Sequence, residues 1–235
     1  MKPMLLFLAS LLAVTAAYAQ SPYVTITGNS IAYFQQPFAP EEFPSLPSDE
    51  VYIWGQPSVQ CSYFNALSTN GEPLIYFYVP AQTTVAVLID STNDVANDIP
   101  VNQHMACIEQ TIDYLLQRNM NLLIVVANTP PWTQWNPCLN GGQGGNNSPI
   151  YLQMIEAYNA AYADPNTGLQ ALYPNNVRVA DVYTPAALPD GWANPELMTG
   201  PCGIHPGPQW IWTTSWAHFT PAFDQLVIEA VNGQW

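Results

Sequence analysis

The chain carries a hydroxyl, an imidazole and several amide donors at points where the backbone leaves an extended run. Gly28-Asn29-Ser30 closes a β-rich run and opens a helix, which sets the Ser30 hydroxyl beside backbone N–H groups and the positive end of a helix dipole. Gly55 closes a second run, Ser91-Thr92-Asn93-Asp94 follows a third, and Gly203-Ile204-His205-Pro206 lies shortly before the last helical stretch. A serine hydroxyl is a poor nucleophile until a base takes its proton, and histidine is the side chain whose pKa suits that task near neutrality. Donors aimed at a developing oxyanion contribute about 3 to 4 kcal/mol each in enzymes where they have been removed. A hydroxyl, an imidazole and amide donors converging on one rim are the parts of acyl transfer. Taken singly, each residue has a plainer use: Ser30 as a helix cap, Gly55 and Asn93 as turn formers, His205 as a loop residue.

Those positions require a scaffold that ends strands side by side. Residues 23–27 alternate in a β-rich way and stop at Gly28, 51–54 stop at Gly55, and 84–89 stop at Asp90. Residues 122–127 form a continuous apolar run of the kind buried on both faces of a parallel sheet, ended by Asn128-Thr129-Pro130-Pro131, and 177–182 read as a fifth strand. Between strands, Met105, Ile108, Ile112, Leu115 and Leu116 recur at three- and four-residue spacing with Glu109, Asp113 and Gln117 among them, which predicts an amphipathic helix over 103–119. A second helix is read over 151–162. A last one is capped by Thr220, has Pro221 at its first position, and is lined by Phe223, Leu226, Val227 and Ala230. The Pro-rich stretch with Pro37, Pro40, Pro44 and Pro47 and the glycines of 141–145 read as loops, the latter flexible. Alternating strands and helices predict an α/β fold: one three-layer α/β/α sandwich with a mostly parallel five-stranded sheet, flavodoxin-like, whose ligands sit at the carboxyl ends of the strands.

Composition narrows the chemistry. With 17 Asp and Glu against 3 Lys and Arg in 235 residues the formal net charge is −14, which argues against nucleic acid, anionic membrane surfaces and phosphate handling. Hydrophobic residues make up 49% and charged ones 9%, a globular balance. Lys2, a short apolar run from Met4 to Ala13 and Ala17-Tyr18-Ala19 have the form of a secretory signal peptide over residues 1–19, leaving a single domain over 20–235 without membrane insertion. Export to the periplasm or beyond the cell favours two disulfides among Cys61, Cys107, Cys138 and Cys202, with three pairings open. No metal site is read: Asp90, Asp94 and Asp98 lack the alternation of a calcium loop and fit a polar turn, and His104, His205 and His218 show no metal-binding spacing. Tyr76, Tyr78, Trp132, Trp135, Trp192, Trp210, Trp212 and Trp216 either pack in the core or line the rim, where they would stack on sugar rings or form an acyl pocket.

The four blocks taken together resemble the SGNH hydrolases, also called the GDSL esterase family, over nearly the whole mature chain. Gly28-Asn29-Ser30 stands for G-D-S, Gly55 for the second-block glycine, Ser91-Thr92-Asn93-Asp94 for G-x-N-D, and Cys202-Gly203-Ile204-His205-Pro206 for D-G-x-H-P. The resemblance implies that Ser30 is the nucleophile, that His205 is its base, and that the Ser30 N–H, the Gly55 N–H and the Asn93 side-chain amide form the oxyanion hole, with no metal or organic cofactor. It also implies a secreted esterase acting on small-molecule or polysaccharide esters through an acyl-Ser30 intermediate, carbohydrate acetyl esters being the class to test first. The alternatives are a non-catalytic saccharide-binding protein of the same fold and an acyltransferase.

Three departures matter. Asn29 replaces an Asp, Ser91 replaces a Gly, and Cys202 stands where the histidine-orienting Asp belongs. The last leaves a Ser30–His205 dyad whose imidazole must be held by a backbone carbonyl or, less directly, by Glu196 or Asp190. On the rim that the resemblance implies, Cys138 is the partner expected for Cys202, leaving Cys61 for Cys107, and such a bridge would take over the positional part of the missing Asp. Without a carboxylate beside it, the imidazole is expected to remain a neutral base at lower pH.

Overall fold

The computed structural model describes residues 23–35, 51–198, 201–205 and 220–235. The expected signal peptide, the Pro-rich stretch with Pro37, Pro40, Pro44 and Pro47, and Pro206, Trp210, Trp212, Trp216 and His218 lie outside them, as do the side chains of Thr220, Pro221 and Phe223. In chain order the elements used below are β1 (Val24–Gly28), α1 (Ser30–Gln35), β2 (Val51–Gly55), α2 (Cys61–Asn65), α3 (Ile75–Tyr78), β3 (Val85–Ile89), α4 (Thr92–Ala96), α5 (Val101–Arg118), β4 (Leu123–Ala127), β5 (Trp135–Asn136), β6 (Gly145–Asn146), α6 (Pro149–Ala163), α7 (Leu169–Leu172), β7 (Val177–Ala180) and α8 (Thr220–Val231).

Five strands form one sheet in the order β2-β1-β3-β4-β7, every neighbouring pair parallel. The sheet is thus wholly parallel, and a separate antiparallel pair, β5–β6, stands apart from it. The interior strands β1 and β3 are buried along their whole length, as their unbroken apolar and β-branched residues demand. At the edge, β2 alternates: Val51, Ile53 and Gly55 face inward while Tyr52 and Trp54 face out and stack on each other. The side chains of β3 sort the layers. Val85, Val87 and Ile89 pack with α1 and α8 on one face, whereas Ala86 and Leu88 pack with α2, α3, α5, α6 and α7 on the other.

Helix α5 carries the periodicity read in the sequence, with Met105, Ile108, Ile112 and Leu115 buried against the sheet. Ser148 accepts the Ile150 N–H to cap α6, whose first residue is Pro149. Chain order runs outward from β1 in both directions, to β2 on one side and β3 on the other. This reversal opens a crevice at the carboxyl ends of β1 and β3, the place where such sheets hold ligands.

Candidate active site

Ser30 is the first residue of α1, at the carboxyl end of β1, and its Oγ lies 2.7 Å from the Nε2 of His205, 175 residues further along the chain. Both side chains are nearly covered, at 6% and 7% exposure, so their hydrogen bond forms in a low-dielectric setting. With the Ser30 hydroxyl donating to Nε2, the imidazole carries its proton on Nδ1. Asn29 accounts for its own departure: its Oδ1 accepts the Ile31 N–H at 2.9 Å, a helix-capping bond that asks for an oxygen and not for a charge.

Gly55 sits opposite Gly28 in the β1–β2 register, and Gln56 donates to the Gly28 carbonyl. N–H groups alternate in direction along a strand, so the Gly55 N–H is turned away from β1 at the sheet edge. No other residue fits here, because a Cβ would stand 2.0 Å from the Tyr33 backbone nitrogen. Asn93 lies in α4, just beyond β3, and its amide donates one hydrogen to the Val59 carbonyl at 2.7 Å, which leaves its second N–H for another acceptor. Ser91 has φ −80°, a conformation open to any residue, so the turn has no need of the glycine it replaces.

The segment bearing His205 is tied down beside β5. Cys202 is bonded to Cys138, and Cys61 to Cys107. The Gly203 carbonyl accepts the Thr133 N–H at 2.9 Å, while the Thr133 hydroxyl, 3.2 Å from that carbonyl, lies closer to the Trp135 carbonyl at 2.5 Å. Gly203 has φ +64° and a Cβ on it would stand 1.9 Å from the Thr133 oxygen, so glycine is what allows this approach. Asn147 in turn donates to the Thr133 carbonyl and accepts from Asn136. The glycine-rich 141–145 segment, read as a flexible loop, is the connection of the β5–β6 ladder, in which Trp135 pairs with Asn146 and Asn136 with Gly145. Asp190 and Glu196, the carboxylates considered for orienting His205, are both exposed, and Asp190 accepts its own loop's Trp192 N–H.

Next to this loop a groove of about 390 Å³ is lined by Thr133, Trp135, Leu188, Asp190, Trp192 and Gly203, among others. Of the aromatic residues singled out, Trp132 and Trp192 are buried and Tyr76 and Tyr78 partly so, while Trp135 stays 56% exposed in this groove. The Asn128-Thr129-Pro130-Pro131 turn closes on β7: the Asn128 side chain accepts from the Val182 and Tyr183 N–H groups and donates to Asp181.

The acidic turn read from Asp90, Asp94 and Asp98 holds only for Asp98, which is exposed. Asp94 is buried and bonded to His104 Nδ1 at 2.5 Å, and His104 Nε2 meets the Tyr162 hydroxyl. No local spacing signals that chain, since its members are drawn from three helices. Among the described residues no group of three or more His, Cys, Asp or Glu could hold a metal ion, and no helix is long and apolar enough to cross a membrane.

Asp90 is buried at the end of β3 with its Oδ1 unpartnered among the described residues. Burial, and then the charge of Asp94, pushes its carboxyl well above the usual carboxylate range. The folded protein therefore keeps a proton that the unfolded chain releases above about pH 4, and stability is lost as pH rises through that interval. Asp90→Asn is expected to flatten this dependence, gaining on the wild type by up to about 1.4 kcal/mol per pH unit above pH 4. Thermal melting from pH 4 to 8 checks it, and parallel curves for the two proteins would contradict it.

No family model matches the sequence, and no curated protein does. Solved structures do match. A GDSL-like lipase from Bacteroides thetaiotaomicron superposes with a TM-score of 0.60 at 17% identity, over 88% of this chain and 88% of that one. A carbohydrate esterase family 3 protein from Talaromyces cellulolyticus gives 0.58 at 14% identity, over 89% and 98%. The catalytic domain of a peptidoglycan O-acetyltransferase from Streptococcus pneumoniae gives 0.51 at 13%, over 90% and 96%. The chain has the fold of the SGNH, or GDSL-like, hydrolases.

Proposed function

We propose that the protein is a secreted carboxylic-ester hydrolase working through an acyl-Ser30 intermediate. The observation that carries this reading is the 2.7 Å contact between Ser30 Oγ and His205 Nε2 at the crevice between β1 and β3. As Ser30 Oγ attacks the ester carbonyl carbon, its proton passes to Nε2, and the carbonyl oxygen becomes an oxyanion facing the Ser30 N–H, the Gly55 N–H and the free hydrogen of the Asn93 amide. Collapse breaks the bond to the leaving alkoxide, which takes the proton from Nε2. Water then repeats the sequence on the acyl-serine, releasing the acid and restoring the hydroxyl. Two disulfides accord with an oxidising destination outside the cytoplasm.

For the substrate, an exposed tryptophan in a groove that Asp190 also lines suits the apolar face and hydroxyls of a sugar ring, and the net charge of −14 disfavours an anionic one. O-acetylated oligosaccharides are therefore the proposed class. Acetate release from acetylated xylan and from p-nitrophenyl esters of increasing chain length tests this. Preference for short acyl groups and acetylated saccharide is expected, and preference for long acyl chains would contradict it. The structural likeness to an O-acetyltransferase domain supports a second outcome, transfer of the acetyl group to an added acceptor alcohol instead of to water.

The missing Asp makes the Cys138–Cys202 bridge a positioning element for His205. Replacing both cysteines by alanine is expected to lower kcat by about 10- to 100-fold through a displaced imidazole. Stability should fall by about 2–4 kcal/mol, read by denaturant unfolding. A variant that loses stability but keeps kcat below its unfolding range would show that the bridge does not position the base.

A further inference from the structure

We infer that His104 is a positioning residue for the oxyanion donors, an inference that rests on the function proposed above. His104 is completely buried, and both ring nitrogens are engaged: Nδ1 with Asp94 Oδ2 at 2.5 Å, Nε2 with the Tyr162 hydroxyl. With Nδ1–H donating to the Asp94 carboxylate, Nε2 of the neutral ring is left to accept the Tyr162 hydroxyl. Tyr158 stacks on the imidazole at 4.4 Å between ring centres, which fixes the plane of the ring.

The other oxygen of Asp94 reaches across to the site. Oδ1 accepts the Cys61 N–H at 3.1 Å, while the neighbouring residue, Asn93, donates its side-chain amide to the Val59 carbonyl. Two consecutive residues of α4 thus grip residues 59–61, the segment that leads from Gly55 into α2. A five-residue helix cannot hold its own rotation, and an oxyanion donor must be placed within about 0.5 Å to act. An apolar side chain at 104 could fill the same space, but only a hydrogen bond sets the angle of α4 about its axis.

The face of α5 that bears His104 completes the support. One turn on, Cys107 is bonded to Cys61, and Thr111 donates to the Asn65 side chain, which donates in turn to the Cys107 carbonyl. One helix therefore holds both the α4 segment, with Asn93, and the segment continuing from Gly55.

The test is a double-mutant cycle between His104→Leu and Asn93→Ala, read as kcat and KM for p-nitrophenyl acetate, with His104→Asn as the conservative variant. Asparagine offers an N–H to Asp94 in place of Nδ1, whereas leucine offers none. His104→Leu is expected to lower kcat by at least about tenfold with KM within about twofold, and His104→Asn to recover most of it. In the Asn93→Ala background His104→Leu should cost clearly less than it does in the wild type, since only its hold on the segment after Gly55 is left to lose. Multiplying effects, or an asparagine variant as impaired as the leucine one, would overturn the inference. If His104→Leu does not fold, Tyr162→Phe, which removes only the far hydroxyl, replaces it in the cycle. If the wild type turns over no ester, the proposed function fails while the positional link is still read by NMR of the Asn93 side-chain amide. That resonance should move in His104→Leu or Tyr162→Phe and lie near its wild-type position in His104→Asn; an unmoved resonance would refute the link.

Discussion

Ser30→Ala is expected to lower kcat for a short-chain p-nitrophenyl ester by about 10⁴-fold or more, and His205→Ala by a similar factor. In the proposed mechanism the two groups act as one unit across their 2.7 Å contact, so the double variant should be no slower than either single one. Neither change should unfold the protein. Each removes one partner of the buried hydrogen bond the two share, a loss of about 1 to 3 kcal/mol, and both lie at the rim of the sheet, not inside its two apolar layers. The residual rate should still exceed the reaction in water, because the proposed oxyanion donors remain. Steady-state rates on folded protein, checked by thermal melting, decide the matter. Turnover surviving in Ser30→Ala would remove that hydroxyl from the chemistry.

Asn93→Ala carries the next largest effect. Its amide is oriented by donating to the Val59 carbonyl, so the remaining N–H is preorganised and costs no reorganisation when charge develops. Losing it should reduce kcat by about 10²- to 10³-fold with little change in KM, the signature of an interaction made only in the transition state. The Val59 carbonyl would lose its partner as well, at roughly 1 kcal/mol of stability. Asn93→Asp should be at least as slow, since a carboxylate offers no donor and repels the oxyanion. A change confined to KM would place Asn93 in ground-state binding instead.

The sheet was legible because its strands announce themselves physically. Residues 85–89 and 123–127 are apolar without a break, which only burial on both faces explains, and the spacing of Met105, Ile108, Ile112 and Leu115 leaves no reading but a helix. Ser30, Gly55, Asn93 and His205 stood out because each ends or follows a strand or a turn, where an α/β sheet presents its ligand-binding rim. The pairing of Cys138 with Cys202 could be expected only once that rim was assumed, as cysteine spacing alone left three choices open.

What stayed hidden depends on contacts between distant residues. Asp94, His104 and Tyr162 form one chain, but Asp94 and Tyr162 are far apart in sequence and His104 falls beside the apolar stripe of α5 without interrupting it. Asp90 reads as a turn residue because nothing local tells a buried carboxyl from a solvated one. The β5–β6 ladder is held by Asn136, Asn147 and Thr133, polar residues that composition assigns to loops. In both cases buried side-chain hydrogen bonds perform the work that apolar periodicity performs elsewhere.

The most direct measurement of the central claim is the mass of the folded protein after exposure to a fluorophosphonate, followed by peptide mapping. A single adduct on Ser30, absent from Ser30→Ala and strongly slowed in His205→Ala, is the predicted result. A wild-type protein that remains folded and unlabelled, or an adduct on any other residue, would contradict it.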